Sequence, residues 1–132
     1  MRILLIEDSR LLQLALSRIL GKAGHEVTAV GDGREGLRCA EKTNPDMILL
    51  DLMLPTLEGT SVLRHLKQSP QTKDIPVVVL SGLSQKNESK LKQDGAAGFL
   101  AKSTLNLNSD ASPFVSALND LIKMDSAAGR RG

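Results

Sequence analysis

Met47-Ile48-Leu49-Leu50-Asp51 is an unbroken apolar run closed by a carboxylate, and Ile3-Leu4-Leu5-Ile6 repeats the pattern by running into Glu7-Asp8. Short apolar runs bounded by polar or turn residues read as strands buried on both faces, although periodicity alone leaves a piece of buried helix open. Length and neighbours decide for strands. A third run, Val77-Val78-Val79-Leu80, is β-branched up to its last residue and ends in Ser81-Gly82. In open parallel sheets ligands bind at the carboxyl ends of the strands, so acids that close two such strands point to one shared site.

The segments between these runs carry a helical period. Leu12, Ala15, Leu16, Ile19, Leu20 and Ala23 form one apolar stripe that begins directly after the first acidic pair, with Ser9 as N-cap and Gly24 as stop. A second helix is predicted from about Gly33 to Lys42 after the Asp32-Gly33 turn, with Leu37 and Ala40 inward; Gly36 should weaken it by roughly 1 kcal/mol. Gly59 to about Lys67 gives a third helix with Val62, Leu63 and Leu66 inward. A polar fourth covers Ser84 to Gln93, where Leu91 is the strongly apolar residue. The fifth starts at Ser112-Pro113 and turns Phe114, Leu118, Leu121 and Ile122 inward. Leu11 and Leu14 lie beside the main stripe of the first helix and are expected to pack on the fifth.

Two less continuous strands, Glu26 to Val30 and Gly98 to Lys102, complete a strict alternation of strands and helices, the pattern of a parallel α/β sheet covered on both faces. Right-handed crossovers and the order 2-1-3-4-5 put the apolar strands in the centre and the mixed ones at the edges. Glu7, Asp8 and Asp51 then share the crevice where the strand order reverses.

A chain of 132 residues suits one domain, and the alternation consumes nearly all of it. The expected domain is residues 1–124, with 125–132 a disordered tail or the beginning of a linker. Basic residues number 17 against 15 acidic ones, and Arg130 and Arg131 account for the excess, so charge gives no argument for a nucleic-acid surface. The single cysteine, Cys39, excludes an internal disulfide and agrees with a reducing compartment. Arg2 followed by four apolar residues and two acids matches neither a signal peptide nor a membrane span, so a soluble, cytoplasmic protein is expected.

Like charges about 4 Å apart repel by roughly 4 kcal/mol at an effective dielectric of 20, so three converging carboxylates require a positive partner. A hard divalent cation answers this, and magnesium suits it best because it takes one or two carboxylates and keeps positions for water and a phosphate oxygen. Lys102 and the hydroxyl of Ser81 end neighbouring strands. Acids for a metal, a lysine and a hydroxyl describe a phosphoryl site.

Those residues carry a resemblance. In order, Glu7-Asp8, Asp51 with Leu52-Met53-Leu54-Pro55 and Gly59, Ser81-Gly82, and Phe99 three residues before Lys102 resemble the receiver domain of two-component response regulators, over Arg2 to about Met124. The resemblance implies a flavodoxin-like (βα)5 fold of chemotaxis-regulator type. It implies that Asp51 accepts a phosphoryl group from a histidine kinase or a histidine phosphotransfer protein. Asp8 and Asp51 would bind Mg2+ directly, Glu7 through water, and Met53 through its backbone carbonyl. Lys102 and Ser81 would receive the phosphoryl oxygens, and Ser81 with Phe99 would switch the surface of helix four, strand five and helix five towards a downstream protein. The implied protein is a signalling phosphoacceptor, not a metabolic enzyme, without direct nucleic-acid or membrane contact, and a monomer or a phosphorylation-dependent dimer. Alternatives are the receiver of a larger regulator with a DNA-binding or enzymatic output domain, and an interaction module independent of phosphorylation. An aspartyl phosphatase is disfavoured, because the position of its general acid is held by Met53.

The chain departs from the family pattern at Ser103, where proline usually follows the lysine, and in the long stretch Ser103 to Ala111. Apolar Met53 and Leu83 flank the expected phosphoryl site and should hinder attacking water. Met53→Asn is therefore expected to shorten the lifetime of the acyl phosphate in a dephosphorylation time course; an unchanged rate would contradict it.

Overall fold

The three apolar runs form the middle of a parallel sheet. The computed structural model describes residues 1–52, 54, 59–81, 88–102 and 112–127, with the backbone alone for 81, 88 and 124–127. Strands β1 (Arg2–Ile6), β2 (Glu26–Val30), β3 (Met47–Asp51), β4 (Val77–Ser81) and β5 (Gly98–Ala101) alternate with helices α1 (Arg10–Lys22), α2 (Gly33–Thr43), α3 (Gly59–Gln68), α4 (Glu88–Gln93) and α5 (Ser112–Ala127). Among the described residues the sheet order is β2-β1-β3-β4-β5, every pairing parallel, as the sequence predicts. β3 is buried throughout, whereas β2 at the edge alternates between exposed and half-buried residues.

Continuous apolar runs are needed because both faces of the sheet are covered. Side chains alternate faces along a strand. Leu4, Ile6, Ile48, Leu50, Val77 and Val79 pack with Ala40 of α2, Leu63 of α3 and Leu91 of α4. Ile3, Leu5, Leu49, Val78 and Leu80 pack with Leu16 and Leu20 of α1 and Phe114 and Leu118 of α5, where Leu121 and Ile122 also join. The ends of α1 and α2 each have their own chemistry. Ser9 Oγ accepts from the Leu12 N–H at 3.3 Å, and Asp32 Oδ1 from the Glu35 N–H at 2.8 Å, so α1 and α2 are side-chain capped. α1 is followed by Gly24 at φ +96°, and α2 stops at Asn44, left-handed at φ 47°.

Two expectations change. Leu11 and Leu14 do not pack on α5; they are 66% and 57% exposed. At about 100° per residue they stand roughly 140° and 160° around α1 from buried Leu16, on its opposite side. α5 also continues to Ala127, beyond the boundary expected at residue 124. Residues 84–87 of the expected fourth helix lie outside the described residues. Among the described residues no helix is long and apolar enough to cross a membrane.

Gly36 shows why a poor helix former sits inside α2. A Cβ there would stand 2.5 Å from Ile6 Cδ1 in the core, so α2 lies against β1 only because that position has no side chain. Gly21 in α1 is the contrasting case, with nothing within 4 Å of its would-be Cβ. Gly36→Ala should therefore destabilise by about 1–3 kcal/mol through overpacking, whereas Gly21→Ala should stabilise by roughly 0.5–1 kcal/mol. Urea unfolding of the two variants checks the opposite signs.

Candidate functional site

Parallel register fixes where the acids emerge. Ile6 of β1 lies beside Leu50 of β3, so the residues that follow, Glu7 and Asp51, leave the sheet side by side. The Glu7 N–H donates to the Val30 carbonyl at 3.0 Å, which holds the chain in line with the sheet for one residue past β1. Glu7 and Asp51 are 1% and 2% exposed, while Asp8 is exposed. One carboxylate oxygen from each of Glu7, Asp8 and Asp51 lies within 4.8 Å of the others.

Lys102 follows β5, two strands away from Asp51. A long stem crosses that gap, and Nζ reaches 3.1 Å from Asp51 Oδ1 and 3.3 Å from Glu7 Oε1. Burial draws the ammonium's pKa down, but the hydrogen bond and charge of Asp51, joined by Glu7, outweigh this and hold it above the usual lysine range. Lys102 is therefore a fixed cation at neutral pH. Glu7 is pushed up, first by burial and then by the charge of Asp51, against the opposing pull of the Ser9 N–H and of Lys102.

The two oxygens of Glu7 have different surroundings. Oε2 accepts from the Ser9 N–H at 3.0 Å. Among the described residues Oε1 is buried without an aligned hydrogen bond and lies 3.3 Å from the Lys102 ammonium. A buried oxygen left in this condition, in a set of hard carboxylate donors, is what a small divalent cation or its bound water would use.

The other expected residues divide into two groups. Ser81 ends β4 beside Ala101 of β5, but its side chain, together with Met53, Leu83 and Ser103, lies outside the described residues. Phe99 is half-buried in β5 and packs against the core between the sheet and α2, α3 and α4. Gly59 proves more than a spacing signal. Its N–H donates to the Leu52 carbonyl at 3.0 Å, and a Cβ there would lie 2.5 Å from both the Asp51 carbonyl oxygen and Leu52 Cα. The backbone carrying Asp51 thus requires glycine at 59. Gln13 escaped the sequence reading: its Nε2 donates to the Glu7 carbonyl at 2.6 Å. Its only signal was its place one turn beyond the cap Ser9. His65 is exposed on α3 with Nδ1 2.8 Å from the Ser61 carbonyl, and Cys39 is a half-buried residue of α2.

The chain matches the response regulator receiver domain family over residues 3–108. It belongs to that family. The receiver is 32% identical to Protein PilH of Pseudomonas aeruginosa, over 76% of this chain and 84% of that protein. It is 40% identical to the DNA-binding dual master transcriptional regulator RpaA of Synechocystis, over 64% of this chain and 35% of that protein. Among solved structures, the chemotaxis response regulator CheY4 of Vibrio cholerae superimposes with a TM-score of 0.80 at 26% identity, covering 91% of this chain and 97% of that one. The receiver domain of a sensor histidine kinase from P. aeruginosa PAO1, with magnesium coordinated in its active-site cleft, gives 0.78 at 29% identity over 92% and 97%. This is accordingly a receiver domain of two-component signalling, with an acidic cluster compatible with magnesium.

Because the fold raises the Glu7 pKa, its contribution to stability is fully present below the unfolded value near 4.5 and is lost as pH rises through the higher folded value. Without metal, Glu7→Gln should therefore be more stable than wild type at pH 8, with the difference shrinking towards pH 5. Urea melts at both pH values check this; a less stable variant at pH 8 would contradict it.

Proposed function

We propose that this receiver takes a phosphoryl group on Asp51 from a phosphohistidine of a histidine kinase or histidine phosphotransfer protein. The observation that carries the proposal is the Lys102 ammonium, 3.1 Å from Asp51 and 3.3 Å from Glu7, in a cluster of three carboxylates. An Asp51 oxygen attacks phosphorus in line, the P–N bond breaks as the O–P bond forms, and the imidazole departs with its electron pair and takes up a proton. Lys102 would move from carboxylate to phosphoryl oxygen, which keeps its charge on the group that becomes more negative. Asp8 and Asp51 would hold Mg2+ with the Met53 carbonyl, and Glu7 would hold it through water. When bound, the cation neutralises the carboxylates and the phosphoryl oxygens together.

The same reading gives the Ser81 hydroxyl a phosphoryl oxygen as partner. Phe99, half-buried at the sheet edge, would change its packing and with it the surface of α4, β5 and α5 that a downstream protein reads. The module is a cytoplasmic signalling phosphoacceptor with self-catalysed transfer and hydrolysis, acting as a monomer or a phosphorylation-dependent dimer without direct nucleic-acid contact. A receiver joined to an output domain is the second reading, supported by a match that covers 35% of RpaA, whereas the match over 84% of PilH supports the first.

Incubation with Mg2+ and a small acyl-phosphate donor, followed by intact-mass measurement, tests the proposal. One phosphoryl group is expected on wild type, none on Asp51→Asn or with a chelator, and labelling slower on the order of a hundredfold for Lys102→Ala. An unlabelled wild type, where a control receiver labels, would favour an interaction module independent of phosphorylation.

A further inference from the structure

Of the three acids, Asp8 is the one that protrudes into solvent, so its carboxylate is placed by the backbone that carries it rather than by burial. That backbone is held from two sides. The Ser9 N–H donates to Glu7 Oε2 at 3.0 Å, and Gln13 Nε2 donates to the Glu7 carbonyl at 2.6 Å. The amide's orientation is forced, since the reverse would bring two oxygens to 2.6 Å. The backbone of Gln13 is itself held in place. It sits in the first turns of α1, its own N–H bonded to the Ser9 carbonyl at 2.9 Å, and Ser9 Oγ caps the Leu12 N–H.

We propose that Gln13 is a positioning residue for the metal site, acting through the peptide between Glu7 and Asp8. Rotation of that peptide would break the Gln13 bond, and it is the rotation that would swing the Asp8 carboxylate away from Asp51. By tying this carbonyl to α1, Gln13 makes the first helix the support on which the exposed ligand is set, a role no catalytic motif of the chain reveals. The inference rests on the reading of the acidic trio as a Mg2+ site.

The test uses the full chain without phosphodonor. Calorimetric titration with Mg2+ is expected to show binding by wild type and a dissociation constant about fivefold weaker for Gln13→Met, which keeps length but cannot donate; fivefold corresponds to about 1 kcal/mol, one neutral hydrogen bond. In the metal-free protein the amide nitrogen resonance of Asp8, bonded to the carbonyl in question, should shift in Gln13→Met and return towards wild type in Gln13→Lys, which restores a donor. A general loss of stability would not be repaired in this way. Gln13→Ala serves as a second donor-free variant should the methionine variant fail to fold. Equal Mg2+ affinity of wild type and the donor-free variant, or an unmoved Asp8 resonance, would overturn the role of Gln13. Absence of Mg2+ binding by wild type would overturn the metal site itself, a different result from equal binding by both.

Discussion

Mutual repulsion among Glu7, Asp8 and Asp51 is the constraint on which the rest of this site depends. Two of the three are buried, where water cannot screen them, and Lys102 counters them from across the sheet by contacting both buried carboxylates. Among the described residues one ammonium faces three acids, which leaves a net negative cluster, and Glu7 is held above its ordinary pKa chiefly by burial and then by the charge of Asp51. A bound divalent cation would relieve this charge imbalance, and an incoming phosphoryl group would give Lys102 a new partner.

The fold makes this imbalance unavoidable. Parallel register between β1 and β3 sets Ile6 beside Leu50, so the next residues of both strands must share the switch point of the sheet. Helices cover both faces of the sheet, and close approaches at Gly36 and Gly59 bring α2 against Ile6 of β1 and the start of α3 against the end of β3. A side chain at Gly36 would press on Ile6, the neighbour of Glu7, and one at Gly59 on the carbonyl of Asp51, neither touching a charged group.

Most of the architecture was legible because burial on both faces forces apolar continuity, which a sequence displays directly. β2 matches its expected limits residue for residue, and the edge strands were recognisable from their mixed composition. The acids and Lys102 were found through their places at strand ends, and Phe99 through the family resemblance. What could not be read depended on directions across space. Leu11 and Leu14 look like core residues by type, yet the rotation of α1 turns them outward. Gly36 reads as a weak helix position until Ile6 is seen against it, and Gln13 reads as one more polar helix residue until its amide is seen on the Glu7 carbonyl.

Crystals grown with Mn2+ in place of Mg2+ and measured for anomalous scattering show whether the acidic cluster holds a cation. The expected result is one peak bridging the carboxylates of Asp8 and Asp51 at about 2.1 Å, a distance suited to a small hard cation, with Lys102 still beside Asp51. A peak elsewhere, or a cluster that excludes the ion while Lys102 alone remains among the acids, would contradict a cation held at the ends of β1 and β3.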